Sequence, residues 1–200
     1  MTPNYNRAAR MAYKTLIALH VDSFPVQPLE ILTFCKNTVI HTYEEAMLAI
    51  GQYDYAFFKY DFLSGQDAVT FRRVFPDGKT AYEVLYDSQG DRRRRRFTLA
   101  HELGHIVLRH SQEEPWEERE ADYFAAQLLA PRPVFPLLNS AGLDTSSAEQ
   151  LASLFCLSRK ASEVAVLPPY HTVTDPETAM LLCSQFAQFI SSQFPRSTAV

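Results

Sequence analysis

Residues 97–130, FTLAHELGHIVLRHSQEEPWEEREADYFAAQLLA, decide how the rest of the chain is read. His101 and His105 are four residues apart in an HExxH element. On a helix that spacing stacks them one turn apart on the same face, so both imidazoles can reach one divalent ion. Glu102 flanks that face, where a carboxylate is placed to take a proton from water activated by the ion rather than to bind the ion itself. The neighbours Leu99, Ala100, Leu103, Ile106, Val107 and Leu108 are apolar. Two histidines and a glutamate in such surroundings are costly without partners, and a metal supplies them.

A hydrolytic zinc site needs a third protein ligand and an open position for water. The following segment, EEREADYFA, offers Glu118 and Asp122 four apart on one helix face. One can ligate while the other hydrogen-bonds a ligand histidine, and the assignment is Glu118 to the metal and Asp122 to orientation. Glu117 is the rival ligand, and Glu120 is expected to face away from the metal. Against this stands the bland alternative of a solvated acidic face.

The blocks RFTLAHELGH and EREADYFAAQLLAP, in that order, resemble the ImmA/IrrE family of zinc metallopeptidases, a gluzincin-type group. The resemblance covers roughly residues 5–165. It implies zinc held by His101, His105 and Glu118, with Glu102 catalytic; Glu118, not Glu117, occupies the family position three before Ala121. It also implies a zincin-like, minimal gluzincin fold and a substrate of the phage-type helix-turn-helix repressor class.

Composition sets the outer limits. Two hundred residues at 46% hydrophobic content suffice for one sizeable core. The expected division is a peptidase core over residues 1–135 and a helical extension over 136–200 packed on it as one compact unit. A net charge of −4 and a pI near 5.9 argue against a chain whose main partner is nucleic acid. Cys35, Cys156 and Cys183 are few and form no CxxC pair, as expected of reduced thiols. The first twenty residues lack the pattern of a signal peptide and no apolar run approaches membrane-spanning length, so the expected location is the cytoplasm.

Ahead of the motif, apolar residues Ala9, Ala12, Leu16 and Leu19 mark an amphipathic helix over 6–20, and a second short helix is read over 29–35. Residues 36–40 read as a strand and 43–49 as a helix capped by Thr42. His41 reads as structural. Between 56 and 87, short β-like runs broken by SGQD and PDGK predict a small antiparallel sheet, and with it an α+β protein. The last of these runs, 80–87, precedes the active-site helix, where gluzincin-like folds border the cleft with a strand. It is therefore the expected substrate edge strand. Tyr82, Val84 and Tyr86 share one of its faces and Ala81, Glu83 and Leu85 the other; the pattern leaves open which face meets the core.

Asp91 is placed to cap the active-site helix, which then opens on five arginines, Arg92 to Arg96. Positive charge there opposes the helix dipole. The preferred reading is a solvated first turn paired with acids such as Glu113, Glu114 and Glu117; the rival is a basic rim for an acidic partner or nucleic acid. Pro115 suits the first turn of the next helix, whose buried stripe is Trp116, Ala121, Phe124, Ala125, Leu128 and Leu129. Residues 148–166 resemble a helix-turn-helix with Ser158 capping its second helix, but few of its side chains suit base edges, so packing is the expected role and direct DNA binding is disfavoured. Pro168 and Pro169 break the chain, and 176–194 is a final amphipathic helix using Met180, Phe186, Phe189 and Ile190. The tail PRSTAV is expected to be disordered.

The functional expectation is a zinc-dependent endopeptidase with Glu102 as proton shuttle. Zinc supplies part of the oxyanion stabilisation, and Tyr82, Tyr86, His110 and His171 are candidates for the second donor. The alternative is a non-cleaving regulatory protein that binds a repressor or DNA.

Overall fold

The computed structural model describes residues 2–111, 114–167 and 175–194. The chain break read at Pro168 and Pro169, His171, Glu113 and the PRSTAV tail lie outside them. Among the described residues the protein is α+β, with nine α-helices and one three-stranded sheet. No helix among them is long and apolar enough to cross a membrane.

Helix α1 (Tyr5–Ala18) starts where the Asn4 side chain accepts the Arg7 amide, and it turns Ala8, Ala9, Ala12, Tyr13 and Leu16 inward. After α2 (Pro28–Thr33), strand β1 (Thr38–Thr42) runs into α3 (Tyr43–Ala49), which a reciprocal capping box of Thr42 and Glu45 opens. Strands β2 (Ala68–Val74) and β3 (Thr80–Tyr86) follow, then α4 (Arg92–Leu108) and α5 (Pro115–Leu129). Beyond them come α6 (Phe135–Ser140), α7 (Ala148–Phe155), α8 (Arg159–Val166) and α9 (Pro176–Gln193). One hydrophobic cluster joins α1, α4 and α5 to Leu138, Leu151, Phe155, Leu182, Phe186 and Ile190 of the C-terminal helices.

The sheet order is β1-β3-β2. β2 pairs antiparallel with β3, from Ala68 opposite Tyr86 to Val74 opposite Thr80. β1 pairs parallel with β3, from Thr38 opposite Tyr82 to Thr42 opposite Tyr86. The sheet is thus mixed rather than antiparallel, because β1 reaches β3 from a distant part of the chain rather than through a hairpin. Both faces of β3 are covered: Val84, with Tyr82 and Tyr86 beside it, joins the main cluster, whereas Leu85 joins a smaller one with Tyr43, Met47, Phe58 and Leu63.

Phe57–Phe62 is a π-helix rather than the β-like run expected there. Phe58 is drawn into the smaller cluster while Lys59 turns to Asp67 and Asp87, and the Leu63 amide bonds five residues back to the Phe58 carbonyl. In α9 the buried stripe is Leu182, Phe186 and Ile190, spaced by four. Met180, two residues before Leu182 and so on the opposite side of the helix, is 67% exposed rather than packed.

Candidate metal centre

Two helices carry the site. α4 brings His101, Glu102 and His105; α5 brings Glu118 and Asp122. Asp91 starts α4 by accepting the amides of Arg93 and Arg94, and the left-handed Arg109 (φ 56°) ends it. Gly104 lets the two helices approach closely: a Cβ there would lie 3.2 Å from the Ala121 Cα.

His101 Nε2 stands 3.3 Å from Glu118 Oε2, His105 Nε2 stands 3.4 Å from Glu118 Oε1, and the two Nε2 atoms are 2.9 Å apart. Ligands of a tetrahedral zinc ion at about 2.0–2.1 Å are separated from each other by about 3.3–3.4 Å. The two imidazole–carboxylate separations, made to different oxygens of Glu118, are close to that spacing, and the two imidazole nitrogens must move apart by about half an ångström to share an ion. The donor set of two imidazoles and one carboxylate is also the chemistry zinc prefers in hydrolytic sites. Asp122 Oδ1 accepts from the other nitrogen of His101, Nδ1, at 2.9 Å.

Glu102 is 7% exposed and lies beside this triangle with Oε2 accepting from Thr70 Oγ1 at 2.5 Å. Burial pushes its pKa up, and the Thr70 hydrogen bond only partly opposes that. Burial also works against a charged His101, but hydrogen bonds to Asp122 and Glu118 outweigh it and push that imidazole up to about 10. His105 is held below its usual value by burial and by the charge of His101. Glu118 is lowered by its hydrogen bond to His101.

A cleft of about 710 Å³ opens over these groups, walled by residues 66–72 on one side and by Phe97, Thr98 and His101 on the other. Glu117 turns away, 3% exposed, and accepts the Ser111 amide. Glu120 also turns away, to His110 and Arg7. Of the oxyanion candidates, Tyr82 and His110 line the cleft and Tyr86 does not. Both nitrogens of His110 face partners, His105 and Glu120, so Tyr82 alone of the described candidates is uncommitted there.

The expectation of β3 as substrate edge strand, through Tyr82, Val84 and Tyr86, is corrected by the sheet order: β3 is central, and both its edges are hydrogen-bonded to β1 and β2. Among the described residues, the strand with an unpaired edge beside the cleft is β2. The arginine run is not a uniform solvated turn either. Arg94 pairs with Asp67, and Arg95 donates to the Ser88 carbonyl at 2.5 Å. Arg96 is buried, donating to the carbonyls of Val26, Phe155 and Cys156. Sequence reasoning missed Thr70, for which no pattern exists, and the pairing of His105 with His110.

A family model described as Peptidase_M78, IrrE N-terminal-like domain, matches residues 50–166, a span that takes in the π-helix, β2, β3, both site helices and the α7–α8 pair. No match was found among curated proteins.

Proposed function

The chain belongs to the Peptidase_M78 family of IrrE N-terminal-like domains, a metallopeptidase type, and from that premise we propose that it is a zinc-dependent endopeptidase of the cytoplasm. The observation that carries the reading is the convergence of His101, His105 and Glu118, whose ligand atoms lie within 4.8 Å of one another, with the Glu102 carboxylate alongside. Zinc held there would supply a Lewis acid that acidifies water and polarises a peptide carbonyl.

The chain's own residues supply the rest. Glu102, fixed by Thr70, takes the proton of the attacking water and returns it to the leaving amine nitrogen as the C–N bond breaks. Asp122 orients His101. Tyr82, which lines the cleft, would donate to the developing oxyanion. The free edge of β2 offers backbone hydrogen bonds to an extended substrate, which would lie along the cleft as an added strand.

The proposed substrate is a helix-turn-helix repressor of the phage type, an assignment supported by family resemblance. The test is incubation of the zinc-loaded chain with such a repressor. Defined fragments are expected, and they should vanish with a chelator and with Glu102→Gln, a variant expected to keep its metal. An intact stoichiometric complex, unaffected by Glu102→Gln, would point to capture without hydrolysis and refute the peptidase reading.

A further inference from the structure

His105 has two ring nitrogens, and the site uses only one. Nε2 faces the point where His101 and Glu118 converge. Nδ1 faces the opposite way and lies 3.0 Å from Nδ1 of His110. The second nitrogen of His110, Nε2, lies 3.2 Å from Glu120 Oε2. Glu120 is fixed in turn: its Oε1 accepts the Asn4 amide at 2.6 Å and its Oε2 pairs with Arg7 Nη1 at 3.2 Å. The side chains of His110 and Glu120 are only 3% and 2% exposed, so both are largely shielded from bulk solvent.

Proton placement along this row has one self-consistent solution. Two Nδ1 atoms at hydrogen-bond distance require one to donate and the other to accept. A histidine that ligates through Nε2 is neutral and carries its proton on Nδ1. His105 therefore donates, His110 accepts on Nδ1, and the His110 proton resides on Nε2, where the Glu120 carboxylate receives it. The reverse order puts the His105 proton on the ligating nitrogen and removes the lone pair the metal needs.

We infer that His110 is a positioning residue for the metal centre, which, backed by Glu120, fixes the tautomer and ring plane of His105. The two ligand imidazoles are then treated differently. His101 has a direct carboxylate partner, Asp122, whose side chain is 60% exposed. His105 reaches a buried carboxylate through an interposed imidazole. The competing role for His110 is plain packing: its ring stands edge-to-face with Trp116, centroids 6.0 Å apart, and its backbone amide bonds the His105 carbonyl whatever its side chain is.

The inference rests on the metal-binding reading of His101, His105 and Glu118, and the test separates the two by reading metal affinity and not peptidase activity. Zinc affinity is measured by competition with a chromophoric chelator for the parent, His110→Phe and His110→Asn. Phe keeps a ring against Trp116 but offers no acceptor; Asn restores an acceptor and a donor. His110→Phe is expected to bind zinc about 10–100-fold more weakly, with His110→Asn recovering much of the loss. Zinc affinity of a folded His110→Phe within about threefold of the parent overturns the inference. Long-range ¹H–¹⁵N spectra of the zinc-loaded parent provide a test without any substitution: His105 protonated on Nδ1 and His110 on Nε2 are expected, and a His110 protonated on Nδ1 overturns it. A parent that takes up no zinc overturns the metal reading beneath it.

Discussion

Gly104→Ala tests whether helix approach sets the metal centre. Two effects compete. In a helix interior alanine is favoured over glycine by about 1 kcal/mol, so an unobstructed position would gain stability. Here the added Cβ would meet the Ala121 Cα at 3.2 Å, the Phe124 Cδ1 at 3.2 Å and the Ala121 carbonyl oxygen at 3.3 Å. Carbon atoms pack best at about 3.5–4.0 Å, and two of these three neighbours are backbone that cannot rotate aside. α4 and α5 must therefore separate by about 0.3 Å or more. Overpacking of this kind costs about 1–3 kcal/mol, so the net expectation is a loss of about 0–2 kcal/mol, or a few degrees in Tm. The larger consequence is local. His105 adjoins Gly104 on α4 and Glu118 lies one turn before Ala121 on α5, so the forced separation widens the gap the ion must bridge. Zinc affinity is expected to fall by about tenfold or more, read by chelator competition beside chemical denaturation of the metal-free chain. A variant about 1 kcal/mol more stable than the parent, with unchanged zinc affinity, would refute the reasoning, because propensity would have acted without contact.

Arg96→Met strips the buried carbonyls of Val26 and Phe155, and the half-buried one of Cys156, of their shared donor; unpaired buried carbonyls cost about 1–3 kcal/mol each, partly offset by no longer burying a charge. A loss of about 2–4 kcal/mol is expected as a lowered denaturant midpoint at unchanged slope, and an unchanged midpoint would show that these contacts add nothing. The Lys59–Asp87 pair predicts acid sensitivity. Burial raises the Asp87 carboxyl, but hydrogen bonds from Lys59 and the Gln89 amide oppose it, and the pKa lies below its ordinary value. The stabilisation is then complete above about pH 4 and is lost as pH falls through the lowered folded-state value. Asp87→Asn should flatten that part of the stability-against-pH curve; a curve identical to the parent's would exclude Asp87 as its source.

What the sequence made legible was local. The HExxH spacing in α4, the Glu118 and Asp122 spacing in α5, the caps at Thr42, Asp91 and Ser158, and the start of α5 at Pro115 each depend on residues within a turn or two of each other. Strand order was not legible, because nothing near residues 80–86 records that β1, some forty residues earlier, takes the second edge of β3. His110 was hidden for a different reason. A residue five past His105 falls off the ligand face of a continuous helix, and only the left-handed turn at Arg109 brings its ring back beneath His105. The burial of Arg96, by contrast, was there to be read: it stands three, four and seven residues before Leu99, Ala100 and Leu103, on their inward face.

The same helix explains how a strand comes to line the cleft. β2 is tied to α4 at two points, by Asp67 to Arg94 just before the strand begins and by Thr70 to Glu102 within it. Three residues of strand span about 10 Å, and the eight residues of helix from Arg94 to Glu102 span about 12 Å. The near match of the two lengths means the strand runs alongside the helix instead of crossing it. The first tie is largely exposed on its arginine side and contributes little energy, so its effect is on direction. Asp67 also receives Lys59, and its carbonyl accepts the Asp87 amide, which anchors that end of β2 from the sheet side. β2 is thereby aligned along α4, with its outer edge unpaired among the described residues. A peptide added to that edge would be guided along the helix that carries His101, Glu102 and His105, and Thr70, in the strand it joins, already touches the carboxylate that would move the proton.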